Sequence, residues 1–521
     1  MLKKEFQLNQ SLKLLAKSSF IVFIGVILSK ILGYAYRIIV ARYYGPEAYG
    51  LFVLSLGILG WFTLASHLGL GTGIVRYFSF YIGKKDKKKV AYIFRFFSRF
   101  LLITGVISGV LLFFLSDIIS EKIFSNLQLS PFLKLLSLTL PLVGLKGIFY
   151  GLMQSYEKIG WYSFISNVLD TFVKVIVLII LTFIGINLFN LPVSYLFASI
   201  ITFLFSYLFC RISFKKIFRI KPKKDKKLIK KIISYSWPLI FFAFSMVLLT
   251  QVDSFMIGFF KTAKEVGFYN AAVPIALLLT FSIDLFGYLF FPIVTKEYAK
   301  ENKEIVKQLS QQTGKWVYMI SLPLFVLFIV FPGVFIKLLF GEEYLVAVNS
   351  LRFLSIGAMF TAVFEISKKL ILIKGKSKLL FKDTLFILFL NIVLNLILIP
   401  KYGITGAAIA TMVSYVSLGS LLAFQSWKYL GIVPLRRKMI NITIVALIPT
   451  GFLLLIKQII EINLFTLIVL GILFISLYVL LILLTGCLDK NDKLILNLIK
   501  EKLFLNKKSK QVVLNTERED L

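Results

Sequence analysis

Chemically reactive side chains are scarce in this chain. Its 521 residues include one histidine and two cysteines, and 25 acidic residues stand against 60 lysines and arginines. The sequence contains no cluster of His and Cys with metal-ligand spacing, no Gly-rich phosphate-binding loop and no Asp-x-Asp motif of a sugar-nucleotide transferase. We therefore expect neither an enzyme activity nor a resident metal or cofactor.

Long apolar runs, in contrast, are abundant. A helix needs about 20 apolar residues to cross a hydrocarbon core of about 30 Å. Segments of this kind lie at 19–41, 49–72, 97–117, 132–152, 161–185, 191–211, 233–258, 268–294, 316–337, 345–367, 380–400, 404–427, 438–457 and 463–485. The sequence predicts an all-α, polytopic membrane protein with fourteen transmembrane helices.

The basic residues between these segments indicate the orientation. The N-terminal tail, the loops after even-numbered helices and the C-terminal tail hold 46 of the 60 lysines and arginines, and the loops after odd-numbered helices hold 7. The positive-inside rule then places both termini in the cytoplasm of a plasma-membrane protein. Cys210 and Cys487 lie at cytoplasmic helix ends, where a disulfide is not expected. The basic loop 211–231 favours anionic lipid headgroups as partners over nucleic acid.

An internal repeat divides the chain. Residues 41–52, between helices 1 and 2, resemble residues 258–269, between helices 7 and 8, and residues 183–186 resemble 401–404 at nearly the same offset of 217. Two copies of six helices in the same orientation are expected to form two lobes that alternate the exposure of a cavity. The predicted parts are a first lobe at 1–212, a basic cytoplasmic linker at 213–232, a second lobe at 233–430, helices 13 and 14 at 431–486 and a basic tail at 487–521.

Charged residues inside the apolar segments are the first candidates for substrate-binding residues. Each costs roughly 2.5–3.5 kcal/mol near the centre of a membrane helix. Lys30 lies about 11 residues, or about 16 Å, into helix 1, and Arg37 follows on the same face with Tyr34 between them. A phosphate or pyrophosphate is the natural partner of this stripe, and Lys146 in helix 4 joins the set. The alternative for Arg37 is snorkelling to the interface.

A second basic candidate has an acidic neighbour. Asp170 and Lys174 are spaced i,i+4 in helix 5, so mutual neutralisation is the first interpretation of the pair. Lys174 then contributes to binding only if it is shared with a ligand.

Buried acids indicate a different role. Asp284 in helix 8 lies 217 residues after His67 in helix 2, so both lobes place a titratable group at one depth. Such groups couple transport to H⁺ or Na⁺, and Asp253 is a weaker candidate for the same role. Glu365 is expected to pair with Lys368 or Lys369, and packing as a polar side chain is the alternative for His67.

Several motifs of this chain resemble those of known transporters. They are Ser-Lys-Ile-Leu-Gly at 29–33 with the turn at 41–52, the end of helix 2 at 67–76, the segments 251–258 and 267–272, and the segment 400–408. Together they resemble polysaccharide-biosynthesis flippases of the O-antigen type, within the multidrug/oligosaccharidyl-lipid/polysaccharide exporter superfamily. The resemblance covers about residues 15–430.

The resemblance implies two six-helix bundles around a cation-lined cavity that moves a lipid-linked glycan outward. Lys30 occupies the basic position of the helix 1 motif. Peptidoglycan-precursor flippases often carry Arg there and a second basic residue where Tyr36 stands, and this departure argues against that branch. Two helices beyond twelve are expected to offer a lipid-side groove for a polyprenyl tail.

The resulting hypothesis is a flippase for polyprenyl-phosphate- or pyrophosphate-linked oligosaccharide. Its expected partners are the lipid-linked glycan, membrane lipids and the glycan-assembly machinery. Two alternatives stay open: a cation-coupled multidrug exporter of the same superfamily, and a scaffold for glycan assembly that transports nothing.

Overall fold

The chain folds into helices throughout the region that the structure, a computed structural model, describes. This region comprises residues 2–67, 70–185, 187–222, 224–459, 464–489 and 492. Every regular element in it is a helix, which confirms the predicted all-α membrane fold. Nine helices of these ranges are long and apolar enough to cross a bilayer, or ten if the bent pair Leu129–Ser137 and Leu140–Ser155 forms one span. The count of fourteen is consistent with these helices and stays a prediction.

The helices of the first half of the chain run in the following order. They are α1 (Leu2–His67), α2 (Leu70–Gly83), α3 (Lys87–Ile118), α4 (Leu129–Ser137), α5 (Leu140–Ser155), α6 (Ile159–Ser163), α7 (Asp170–Ile184), α8 (Asn190–Ser213), α9 (Lys215–Arg219) and α10 (Lys226–Phe260). Two π-helical turns, Ile119–Ile123 and Phe164–Leu169, follow α3 and α6.

The second half of the chain continues the series. Its helices are α11 (Ala263–Leu277), α12 (Phe281–Ala299), α13 (Lys303–Val330), α14 (Pro332–Leu339), α15 (Val348–Ile373), α16 (Ser377–Leu430), α17 (Arg437–Ile459) and α18 (Leu464–Leu484). Short 3₁₀ turns, Leu278–Thr280 and Glu342–Ala347, precede α12 and α15.

Two helices are broken by glycine at the turns that the repeat predicts. α1 changes direction at Gly45, where φ is 78° and ψ is 174°, and α16 does so at Gly403, where φ is 56°. Positive φ is accessible to glycine at little cost and is unfavourable for other residues. Each of these long helices therefore contains two of the predicted spans.

One compact unit comprises Met1–Leu278, Phe335–Ala358 and Lys376–Leu418. A hydrophobic core cluster, mainly from α2, α3 and α5, includes the fully buried Phe78 and Phe97. Close packing of α3 on α5 depends on Gly105, because a Cβ there would contact the backbone of Pro141.

The other unit comprises Leu279–Val334, Met359–Gly375 and the described part of 419–521. Its core includes Met439, Ile442 and Tyr478. Many large apolar side chains of α17 and α18 are exposed, Leu447 and Ile472 among them. Surface of this kind is expected of helices that face lipid. The predicted lobes at 1–212 and 233–430 follow the repeat and not compactness, and they stay a prediction.

Candidate functional site

One face of α1 carries the predicted basic stripe. Lys30 and Arg37 are exposed, and Tyr34 between them is half-buried. The Tyr34 hydroxyl donates a hydrogen bond to the carbonyl oxygen of Pro274 at 2.6 Å. Charged side chains on the surface of a membrane helix have a lower free energy beside water or a polar ligand than beside hydrocarbon. The role of Lys30 and Arg37 in binding a phosphate stays a prediction.

Lys146, in contrast, is buried. Its ammonium lies 3.1 Å from the Thr202 hydroxyl and 3.5 Å from the Asp170 carboxylate. Lys174 pairs with the same carboxylate at 2.5 Å, which confirms the predicted i,i+4 pair, and its ammonium lies 4.2 Å from the ring centre of Tyr195. Two ammonium groups share one carboxylate, so this cluster carries a net positive charge in a largely apolar place.

The local backbone brings this basic cluster beside the stripe. The π-helical turn Phe164–Leu169 ends directly before Asp170, and π-turns inside helices are frequent at functional sites. Thr171, the next residue, lies 3.2 Å from the Ser29 hydroxyl, which precedes Lys30 in the chain. The stripe of α1 and the cluster that includes Lys146 therefore lie on adjoining helices.

A second polar cluster surrounds Asp253 of α10. Its carboxylate accepts hydrogen bonds from Tyr269 at 2.6 Å, from the Asn395 amide at 2.7 Å and from the Thr411 hydroxyl. Asn391 joins the set, because its amide oxygen accepts from Asn395 at 3.0 Å. The Asn395 amide oxygen is buried and has no hydrogen-bond partner among the described residues. This oxygen-rich cluster has one negative charge.

The donor set of this acidic cluster fits a monovalent cation. Hard cations prefer carboxylate, amide and hydroxyl oxygens, which are the groups that converge here. One carboxylate balances one positive charge, and the unpartnered oxygen of Asn395 offers a ligand. The sequence identified Asp253 and missed its neighbours. Two asparagines spaced i,i+4 in an apolar helix were the available signal.

The remaining predicted residues, His67, Asp284 and Glu365, lie outside both clusters. His67 of α1 is half-buried, and its Nδ1 lies 2.8 Å from the Thr63 carbonyl oxygen one turn earlier. Asp284 lies in α12, but its side chain is outside the described part of the structure. The predicted pair of Glu365 with Lys368 is confirmed at 3.1 Å.

The internal repeat relates the acidic cluster to a set of residues in the first half of the chain. Each member has a counterpart 217 positions earlier: Asp253 and Tyr36, Tyr269 and Phe52, Asn391 and Lys174, Asn395 and Leu178, Thr411 and Ser194. The contacts recur, since Tyr36 lies 3.0 Å from the Ser194 hydroxyl and 5.8 Å, between ring centres, from Phe52. Two contacts of the acidic cluster thus recur in the first copy, where the uncharged Tyr36 stands in place of the Asp253 carboxylate.

Comparison with known proteins identifies the class. A family model described as "Polysaccharide biosynthesis protein" matches residues 15–296, and one described as "MatE" matches residues 238–397. Fold and sequence thus define a membrane transporter of the multidrug/oligosaccharidyl-lipid/polysaccharide exporter superfamily. Because the first model covers more than half of the chain, the chain belongs to the polysaccharide biosynthesis protein family.

Individual relatives are distant but extend over most of the chain. An uncharacterized membrane protein of Methanocaldococcus jannaschii is 26% identical over 86% of this chain and 91% of its own length. A putative O-antigen transporter of Shigella flexneri is 24% identical over 71% of this chain and 87% of its own. The solved structure of the lipid II flippase MurJ in an inward closed conformation has a TM-score of 0.72 at 18% identity, and the match covers 89% of this chain and 98% of that one. At this identity the structural likeness shows the fold alone.

Proposed function

We propose that this protein is a flippase that moves polyprenyl-phosphate- or pyrophosphate-linked oligosaccharide from the cytoplasmic to the outer leaflet. The observation that carries the proposal is the exposed pair Lys30 and Arg37 on one face of a membrane helix. A phosphate between such cations accepts charge-assisted hydrogen bonds, and Arg offers two parallel donors. The name of the Shigella relative, a putative O-antigen transporter, supports a glycan as cargo.

The basic cluster supports the same substrate class. Asp170 neutralises only one of its two ammonium partners, Lys146 and Lys174. An anion near the cluster would compensate the second charge, whose burial without a partner is unfavourable. In the proposed cycle the headgroup enters from the cytoplasm, its phosphate approaches Lys30, Arg37 and Lys146, and inner closure precedes outer release.

A groove between α17 and α18 supports the proposal that the substrate carries a lipid tail. Pro449 and Phe452 of α17 and Leu470 and Phe474 of α18 line a cavity of 330 Å³ with an apolar wall. Because lipid tails are as apolar as this wall, a polyprenyl chain would be held in the groove by van der Waals packing and not by removal from water. The headgroup would then cross the membrane while the tail stays in contact with lipid.

Coupling to a cation is the finer part of the proposal. The acidic cluster around Asp253 would take up Na⁺, or a proton on the carboxylate itself, as a second transported species. A bound cation would replace the hydrogen bonds that Tyr269 and Thr411 now donate to the carboxylate. Asp284 and His67 are further candidates for this coupling.

The test of the central residue is made in cells that lack their own flippase. We expect that Lys30→Ala abolishes glycan export at normal protein level, and that Lys122→Ala, which removes an exposed lysine from the π-helical turn after α3, retains it. The readout is surface glycan measured beside the amount of protein in the membrane. Full export by Lys30→Ala would remove Lys30 from the site.

A cation-coupled multidrug exporter is the second candidate, and the match of the MatE model over 238–397 favours it. That function predicts altered drug resistance and indifference to the loss of glycan synthesis. A scaffold without transport predicts that substitution of every intramembrane charge leaves function intact.

A further inference from the structure

The turns that join the helix pairs of the two repeats contact each other through backbone. Gly50 and Gly267 occupy equivalent positions, 217 residues apart, and so do Pro46 and Ala263. A methyl group on Gly50 would overlap the carbonyl oxygen of Ala263, and one on Gly267 would overlap the carbonyl oxygen of Pro46. The contact is reciprocal, as two-fold related elements require. Because the obstacles are backbone atoms, no change of rotamer relieves the overlap.

A hydroxyl–carbonyl pair extends this contact along α11. Pro274 has no N–H, so the carbonyl oxygen of Asn270 one turn earlier loses its helical donor. The Tyr49 hydroxyl lies 3.1 Å from that oxygen and donates to it. Tyr49 is only 1% exposed, so water has little access to the orphan carbonyl while the turns are in contact. The Tyr34 hydroxyl donates a hydrogen bond to the carbonyl oxygen of Pro274 itself.

We infer that Gly50 and Gly267 are positioning residues that close the outer side of the transport path. The charge pattern assigns both turns to the outside, since they follow odd-numbered helices. The inference rests on the proposed alternation of exposure. In that cycle the two turns separate to release the cargo outward and meet again, glycine to backbone, before the next cargo enters. Tyr49 then satisfies the carbonyl that Pro274 leaves free in the closed state.

Alanine at Gly50 or Gly267 is expected to affect the two states of the protein unequally. A methyl group on Gly50 or Gly267 is harmless while the turns are apart and prevents their contact. Alanine at either position therefore shifts the population toward the outwardly open state, because it disfavours one state selectively. Gly60, ten residues after Gly50, is a matched control. A Cβ at Gly60 would have no neighbour nearer than 3.9 Å, the Cγ1 atom of Val247.

The experiment measures accessibility from outside in intact cells. Both native cysteines are replaced by serine, and a single cysteine is introduced at Ala48, which is 1% exposed beside the contact. We expect a membrane-impermeant maleimide to label Ala48→Cys at least about tenfold more slowly than Leu127→Cys, a position that is 69% exposed in the loop after α3. Adding Gly50→Ala or Gly267→Ala should remove most of this protection, and Gly60→Ala should leave it intact.

Each outcome has a definite meaning. Rapid labelling of Ala48→Cys with both glycines present would overturn the inference, and this arm requires no glycine variant to fold. Unchanged protection in properly inserted Gly50→Ala and Gly267→Ala would also overturn it. We expect Tyr49→Phe to give an intermediate rate, since it removes one hydrogen bond and no volume. If the glycine variants change the labelling rate as expected but the protein exports no glycan, the flippase proposal is contradicted and the inference about the two glycines is not.

Discussion

Asp170 is the residue on which the basic cluster depends. It compensates Lys174 at 2.5 Å and Lys146 at 3.5 Å in a place with little water. Removing one partner of a buried ion pair leaves an uncompensated charge, which is far costlier than losing the attraction itself. The sequence revealed the i,i+4 pair, whereas the contribution of Lys146 requires the packing of α5 against α7 and α8.

We therefore expect Asp170→Asn to destabilise the protein by about 3–5 kcal/mol, because it leaves two ammonium groups without their counter-charge. Lys174→Met should cost much less, since the pair of Lys146 with Asp170 survives it. Thermal unfolding of the purified protein in detergent compares the two variants. Equal losses would show that the cluster is not organised around the carboxylate.

Asp253 is the residue on which cation coupling depends. If the cluster binds Na⁺, salt should stabilise the folded protein, by about 2.7 kcal/mol when Na⁺ is at one hundred times its dissociation constant. Asp253→Asn should abolish the difference between unfolding temperatures in sodium and choline chloride. Tyr36→Phe, at the equivalent position of the other repeat, should keep it. A sodium effect that persists in Asp253→Asn would place the ion elsewhere.

At the scale of elements, the end of the described chain is fixed to α13. Lys315 is fully buried and pairs with Asp489 at 2.9 Å and with Asp492. Arg436 and Lys438 pair with Asp489 at 2.7 and 2.6 Å. Burial alone would raise the pKa of Asp489, but hydrogen bonds from Lys438 and Lys315 outweigh it and hold the pKa below the ordinary value of 3.8. These residues join α13, α17 and the segment after α18 within one compact unit.

This network predicts a pH dependence with a definite sign. A carboxylate with a depressed pKa in the folded state stabilises the protein above its ordinary pKa and loses that effect as the pH falls through the folded value. The unfolding temperature should therefore drop below about pH 4, and Asp489→Asn should lower it at neutral pH and weaken the acid dependence. Calorimetry at several pH values provides the measurement. An acid profile that Asp489→Asn does not change would contradict this role.

The elements also show what a sequence reveals and what it does not. Apolar length and the Gly45 and Gly403 turns follow from local chemistry, so the helices and two of their breaks were predictable. The acidic cluster was not, since Asn395 and Thr411 are 142 and 158 positions from Asp253 and meet it only through tertiary packing. Burial of Lys146 had the same cause. Periodicity in one helix does not reveal which neighbour covers it.

At the scale of the whole molecule, the membrane fold follows from apolar length and composition. The family does not: it was suggested by motifs such as 29–33 and 400–408 and is shown by the matching family model. The repeat places Tyr36, with its contacts to Ser194 and Phe52, where the second copy has Asp253. We propose that the basic cluster and the acidic cluster have separate tasks, the first toward the anionic cargo and the second toward the cation.

Reconstituted transport tests the central claim most directly. The purified protein in liposomes would be supplied with a fluorescent polyprenyl-pyrophosphate oligosaccharide, and its arrival in the opposite leaflet measured by a membrane-impermeant quencher. We predict protein-dependent, saturable translocation that Lys30→Ala abolishes and Lys122→Ala preserves. Absence of glycan-lipid movement by a preparation that does transport a cationic dye would contradict the account.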